Sequence, residues 1–139
     1  MKVVLDTNVF VSGVFFSGPP FEILSAWRDG RLQLVVSAEI LDEDRRVGER
    51  LESGYSGISF SPVLLPVALH SEVVVAPALP GPVCDDRTDD KFFACAIAAG
   101  CSAIVSGDKH LHQVGEYRGV KVDRPREFFE SSTQEGARP

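Results

Sequence analysis

Short apolar runs closed by polar turn formers alternate along this chain with stretches of helical spacing. Val3, Val4 and Leu5 form the first run, and Asp6, Thr7 and Asn8 follow before Val9, Phe10 and Val11 resume the apolar character. A run this short, bounded this way, predicts a buried strand with Asp6 at its carboxyl end. Residues 12–19 hold two glycines and a proline, which predicts an irregular loop. Pro19 or Pro20 can open a helix whose apolar face is Phe21, Ile23, Leu24 and Trp27 and which Gly30 ends. Leu32 to Val36 predicts a second strand, and Ser37 the N-cap of the next helix, with Glu39 in its first turn.

The run at 42–52 is highly charged and predicts a largely solvated face. Residues 53–63 are less periodic, with Gly54, Tyr55, Gly57, Ile58 and Pro62, and read as a loop or a broken helix. Leu64 to Leu69 is a weak helical segment, and Glu72 to Val75 a third strand stopped by Pro77. Asp85 to Asp90 precedes an alanine-rich helix over 91–99, capped by Thr88 or Asp89 and ended by Gly100. Ala103 to Val105 and Val120 to Val122 predict two more strands, and Pro125 to Phe129 a final helical turn or two.

Repeated strand-then-helix alternation in a chain of 139 residues predicts one α/β domain over residues 1–130. The expected architecture is a three-layer α/β/α sandwich around a mainly parallel sheet of four to five strands. The polar tail at 131–139 is expected to fray. The hydrophobic fraction of 44% supports a folded core. A formal net charge of -6 does not advertise a broad nucleic-acid-binding face, but a cluster of carboxylates accounts for part of it. Cys84, Cys95 and Cys101 are odd in number and match no zinc spacing, so they read as buried thiols of a reducing compartment. No signal-peptide pattern and no apolar run of bilayer length is seen, so a cytoplasmic protein without membrane contact is expected.

Asp6 and Asp108 share one setting, V-V-L-D and I-V-S-G-D, each just beyond an apolar strand. Glu39 and Asp89 sit near helix starts. The carboxyl edge of a parallel sheet is where α/β proteins bind ligands, so these four carboxylates can meet there. Side by side they raise one another's pKa unless a cation joins them. Hard Mg²⁺ or Mn²⁺ takes such oxygen ligands, whereas zinc more often brings histidine or cysteine. Such a site suits phosphodiester hydrolysis.

V-V-L-D-T-N-V at 3–9, S-A-E-I at 37–40, D-R-T-D-D-K-F at 86–92 and I-V-S-G-D-K-H-L at 104–111 together resemble the PIN-domain family, which includes toxin ribonucleases of prokaryotic toxin–antitoxin modules. The resemblance implies a Mg²⁺- or Mn²⁺-dependent endoribonuclease acting on RNA, with an antitoxin protein as partner and a homodimer as a common assembly. It implies an acidic pocket of Asp6, Glu39, Asp89 and Asp108 that holds the metal, with Asn8 and Ser106 as supporting polar groups. Asp89 fits the family register better than its neighbour Asp90. Relatives often show G-D-x-D-L, and here His110 replaces the second aspartate.

Each of these residues also has a plain structural reading. Asp6 and Asp108 can be turn formers, Glu39 a partner of the helix dipole, Asp89 an N-cap, and Asn8 and Ser106 purely structural. Asp85 and Asp86 read as solvated loop residues. The basic residues available to RNA are Arg45, Arg46, Arg50, Lys91, Lys109 and Arg118, with Lys109 beside Asp108 the first to test. The competing functions are an RNA-processing or DNA-directed nuclease of the same fold, and a non-catalytic nucleic-acid- or protein-binding module. Asn8 stands where phosphatase-type α/β domains carry a second aspartate, which counts against that class.

Overall fold

A computed structural model describes residues 1–54 and 59–136, with side chains as far as residue 131. The expectations for Tyr55, Gly57 and Ile58, and for residues 137–139, lie outside the described residues. The elements run β1 Lys2–Leu5, α1 Thr7–Phe15, α2 Pro19–Arg28, β2 Gln33–Ser37, α3 Ala38–Glu52, α4 Ser61–His70 and β3 Glu72–Val74. A 3₁₀ turn at Arg87–Asp89 then leads into α5 Asp90–Ala99, β4 Ala103–Val105, α6 Lys109–Val114, β5 Glu116–Tyr117, β6 Val120–Asp123 and α7 Pro125–Gly136.

The sheet order is β3-β2-β1-β4-β6-β5, six strands rather than four to five. The first five in that order are parallel, and β5 pairs antiparallel with β6. The added strand is the two-residue arm of a hairpin. Arg118 and Gly119, at its tip, have φ of 50° and 84°, as a tight two-residue hairpin requires.

Alternation along the central strands divides the core in two. Val3, Leu5, Leu34, Val36, Ala103 and Val105 face a layer containing Phe10, Ile23, Phe60 and Phe128. Val4, Val35 and Ile104 face a layer containing Phe92, Phe93 and Leu111. Both faces of the sheet are therefore buried, which is why its strands read as unbroken apolar runs. The three-layer α/β/α sandwich follows.

Several local expectations change. Residues 7–15 form helix α1, and the irregular segment shrinks to the short bend before α2. Gly13 acts as a contact surface there and does not break the helix: a Cβ on it would lie 2.6 Å from Leu24 Cδ1 and 2.8 Å from the Pro20 carbonyl. The charged run continues α3 to Glu52, with Ser37 capping it by accepting from Ile40 N at 3.4 Å. Ile40, Asp44 and Gly48 form a buried stripe on that helix, so its face is only partly solvated. The last helix reaches Gly136 because neither glycine nor proline interrupts residues 126–135. Among the described residues no single helix is long and apolar enough to cross a membrane.

From β1 the chain adds β2 and β3 on one side, and later β4 and β6 on the other. The order reverses between β1 and β4. At such a switch point the loops leave the sheet in opposite directions and open a crevice at the strands' carboxyl ends.

Candidate active site

Asp6 leaves β1 at that crevice and is only 4% exposed. Its amide donates to the Val105 carbonyl at 3.0 Å, which ties the end of β1 to the end of β4. Ser106, fully buried, follows Val105. Its hydroxyl donates to Asp6 Oδ2 at 2.7 Å and accepts from the Asp108 amide at 2.9 Å. Asp108 caps α6, its Oδ1 accepting from His110 N at 2.6 Å. His112 Nε2 donates to the Ser106 carbonyl at 2.5 Å and fastens the same turn from behind.

Asp89 occupies the N-cap position of α5 without making a side-chain cap bond. Asp86 supplies the cap one turn earlier, accepting from Thr88 N at 3.0 Å and from the Thr88 hydroxyl at 2.7 Å. The expected caps, Thr88 and Asp89, are thus displaced by Asp86, and the Asp89 carboxylate is left to the crevice. Burial, then Asp108, Asp86 and Asp6, push its pKa up to about 6. Burial raises Asp6 as well; the Ser106 hydrogen bond opposes this, and the charges of Asp108 and Glu43 add to it. Asp90 points elsewhere: its carboxylate accepts from Val83 N at 3.2 Å and from Cys84 N at 2.7 Å.

Glu39 does not join this group. It is exposed and lines a separate groove with Ala76, Leu79, Arg87 and Asp90. Its charge acts on Cys95, whereas Glu43 acts on Asp6. α3 packs against α1, the helix that begins at Thr7, so the turn of α3 near Asp6 is its second. Glu43 is half-buried, and its Oε1 accepts from Lys91 Nζ at 2.6 Å. Lys91 also donates to the Thr88 carbonyl at 2.5 Å. This lysine is engaged within the fold and not left free for RNA. Arg45 and Arg46 are tied up with Asp42 and Glu49 on the surface of α3.

Asp44, next to Glu43, is 2% exposed. Burial drives its pKa to about 7; the neighbouring Thr7 hydroxyl opposes the rise, and the charges of Glu43 and Asp6 add to it. Asp44 Oδ1 and Thr7 Oγ1 are both buried without a hydrogen bond of good geometry. Neither Glu43 nor Asp44 stands out within its charged run, which has the composition of a solvated face. For Asp44 a signal exists in the period Ile40–Asp44–Gly48, which emerges once the run is read as one helix capped by Ser37; for Glu43 there is none.

Asn8 and Lys109 are exposed. All three cysteines are free and buried, with thiols raised to about 12, 12 and 11 for Cys84, Cys95 and Cys101, chiefly by burial.

Asp6, Glu43, Asp89 and Asp108 thus converge from four parts of the chain on one crevice. Among the described residues, no three acidic, histidine or cysteine side chains stand in a finished metal cage. The donor chemistry nevertheless fits a hard divalent cation. Every group is a carboxylate, none is fully exposed, and mutual repulsion helps to raise the pKa of Asp6 and Asp89.

Comparison with known proteins identifies the family. The chain is 30% identical to an uncharacterized protein of Methanocaldococcus jannaschii over 142 aligned positions, covering 94% of this chain and 90% of the relative. The family model described as PIN domain matches residues 2–110, a span that includes all four carboxylates. That match points to a nuclease-type hydrolase, and PIN domains generally use divalent metal ions. By fold and family match, the chain belongs to the PIN domain family.

Proposed function

We propose that this protein is a Mg²⁺- or Mn²⁺-dependent endoribonuclease that hydrolyses RNA phosphodiester bonds, and that it serves as the toxin of a toxin–antitoxin pair. The observation that carries the nuclease reading is the convergence of Asp6, Asp89 and Asp108: the charge of Asp108 weighs on both of the others, and that of Asp6 on Asp89. The toxin role, and with it an antitoxin partner, rests on the family resemblance alone.

Asp6, Glu43, Asp89 and Asp108 are the residues that would hold the metal. Bound there, it would activate water and screen charge on the phosphate. Ser106 fixes the rotamer of Asp6 and, through the Asp108 amide, the direction in which the next strand end leaves the sheet. Lys91 carries positive charge to the rim of the cluster, where it lowers the pKa of both Asp89 and Asp44. The raised carboxylates couple metal affinity to pH, because protons and cation compete for the same oxygens.

The test is cleavage of defined single-stranded RNA and DNA oligomers with and without Mn²⁺, comparing the parent with Asp6→Asn. The expected outcome is Mn²⁺-dependent internal cleavage of RNA that chelator stops and the variant lacks while keeping its fold. Cleavage by D6N at the parent's rate would remove Asp6 from the mechanism. Chelator-resistant turnover would remove the metal.

A further inference from the structure

Beside the carboxylate cluster lies a concavity of about 540 Å³, walled by Pro82, Val83 and Asp85 on one side and by His110, Gln113 and Tyr117 on the other. Helix α6 belongs to both places: Asp108 caps it, while His110 and Gln113, three residues apart, share one face along the concavity. The opposite wall is held in position. Asp90 binds the amides of Val83 and Cys84, and Cys84 is buried.

The lining has the chemistry of a nucleobase site. Tyr117 offers an aromatic ring, braced edge-on by Phe93 at 5.8 Å between centroids, with the Arg118 guanidinium 5.3 Å from its centroid. Aromatic rings and arginine are what single-stranded bases stack on. The Gln113 amide both donates and accepts. His110 Nδ1 is buried with no hydrogen-bond partner, an unmet cost of the kind that persists at functional sites. The Asp85 carboxylate only accepts. Guanine alone among the four RNA bases presents two adjacent donors, N1–H and the N2 amino group, on its pairing edge. Adenine, cytosine and uracil each place an acceptor beside their donor, which a carboxylate oxygen repels.

We propose that this concavity binds a guanine base of the RNA strand next to the scissile phosphate, with Asp85 accepting from N1–H and N2–H and Tyr117 stacking on the ring. The proposal deepens the ribonuclease reading and rests on it for the identity of the strand. Asp85→Asn is the chosen variant, because Asp85 is an exposed loop residue whose replacement leaves the core intact.

The experiment has two arms. In the first, the 5′-monophosphates of guanosine, inosine, adenosine, cytidine and uridine are titrated by calorimetry into the Asp6→Asn protein in chelator. GMP is expected to bind roughly tenfold or more tighter than AMP, CMP or UMP, with IMP weaker for want of the N2 amino group. Asp85→Asn in the same background should abolish that preference. In the second arm, cut sites of the parent and of D85N are mapped on a mixed-sequence RNA, and guanine enrichment beside the cut should disappear in the variant. Equal binding of the nucleotides, no binding of GMP, or a guanine preference unchanged by D85N would overturn the base site. Guanine-selective binding without any RNA cleavage would leave the base site standing and defeat the nuclease reading; RNA cleavage without guanine preference would do the reverse.

Discussion

The Ser106 hydroxyl donates to Asp6 Oδ2 at 2.7 Å across the line where the sheet order reverses. The same oxygen accepts from the Asp108 amide. One buried hydroxyl thus sets the spacing of two carboxylates that leave neighbouring strands. Ser106→Ala leaves a buried carboxylate oxygen and a half-buried amide unpaired, with an expected cost of about 1–3 kcal/mol in stability. Mn²⁺ affinity and RNA cleavage should each fall roughly 10–100-fold, the usual effect of removing a group that orients a ligand. Calorimetric Mn²⁺ titration and oligomer cleavage check this; parental metal affinity in S106A would show that Asp6 needs no such support.

Glu43 and Glu39 lie one turn apart on α3, and it is the charge of Glu43 that weighs on Asp6. Glu43→Gln is expected to lower cleavage by roughly a hundredfold or more, through loss of a charge that the site uses. Glu39→Gln should stay near the parental rate. The two single variants, assayed side by side at saturating Mn²⁺, decide between the neighbouring turns.

Asp44 gives the chain a pH dependence of definite sign. Its carboxyl ionises near pH 7 in the folded protein against an ordinary value of 3.8. Between those values the folded state keeps a proton that the unfolded state has released. The corresponding stability is whole below about pH 4 and is lost as the pH rises through about 7. Asp89, raised to about 6, acts in the same direction over a narrower window. Above pH 7 the ionised Asp44 costs on the order of 4 kcal/mol. In chelator, Asp44→Asn should therefore be more stable than the parent at pH 8, with the gap closing towards pH 4. Denaturant melts at pH 4.5, 6 and 8 measure this, and parallel pH slopes for the two proteins would contradict it.

Gly48 lies against the Phe60 ring, and a Cβ there would overlap it. Phe60 is fully buried, stacked on Phe15 at 6.0 Å with an interplanar angle of 9° and edge-on to Phe10 at 6.0 Å. Alanine in a helix interior ordinarily gains about 1 kcal/mol over glycine. Overlap with a buried ring outweighs that gain, and Gly48→Ala should lose about 1–3 kcal/mol net. Pairing it with Phe60→Leu should recover part of the loss. Additive losses in the double variant would place the strain elsewhere.

The sandwich and its strands were legible because burial on both sheet faces leaves unbroken apolar runs such as Val3–Leu5 and Ala103–Val105. The placement of Asp6, Asp89 and Asp108 at one crevice was legible because the ends of such strands, and the helix start that faces them, are local in sequence. Glu43 was not, since its place depends on how α3 crosses α1, a tertiary relationship that no window of ten residues encodes. α1 was hidden by Gly13, read as a breaker when it is the point of contact with Leu24 and Pro20. The strand at Val120–Val122 was legible as β6, but β5 and the hairpin that joins them were not, because a two-residue strand has no periodicity to detect.

Asp89 and Asp90 are neighbours at one helix start, one turned to the acidic crevice and the other holding the amides of Val83 and Cys84. The loop that walls the concavity and the carboxylate that serves the crevice therefore share a single pivot. Any load on that loop is felt one peptide unit away from the crevice, so a shift of the loop also turns Asp89.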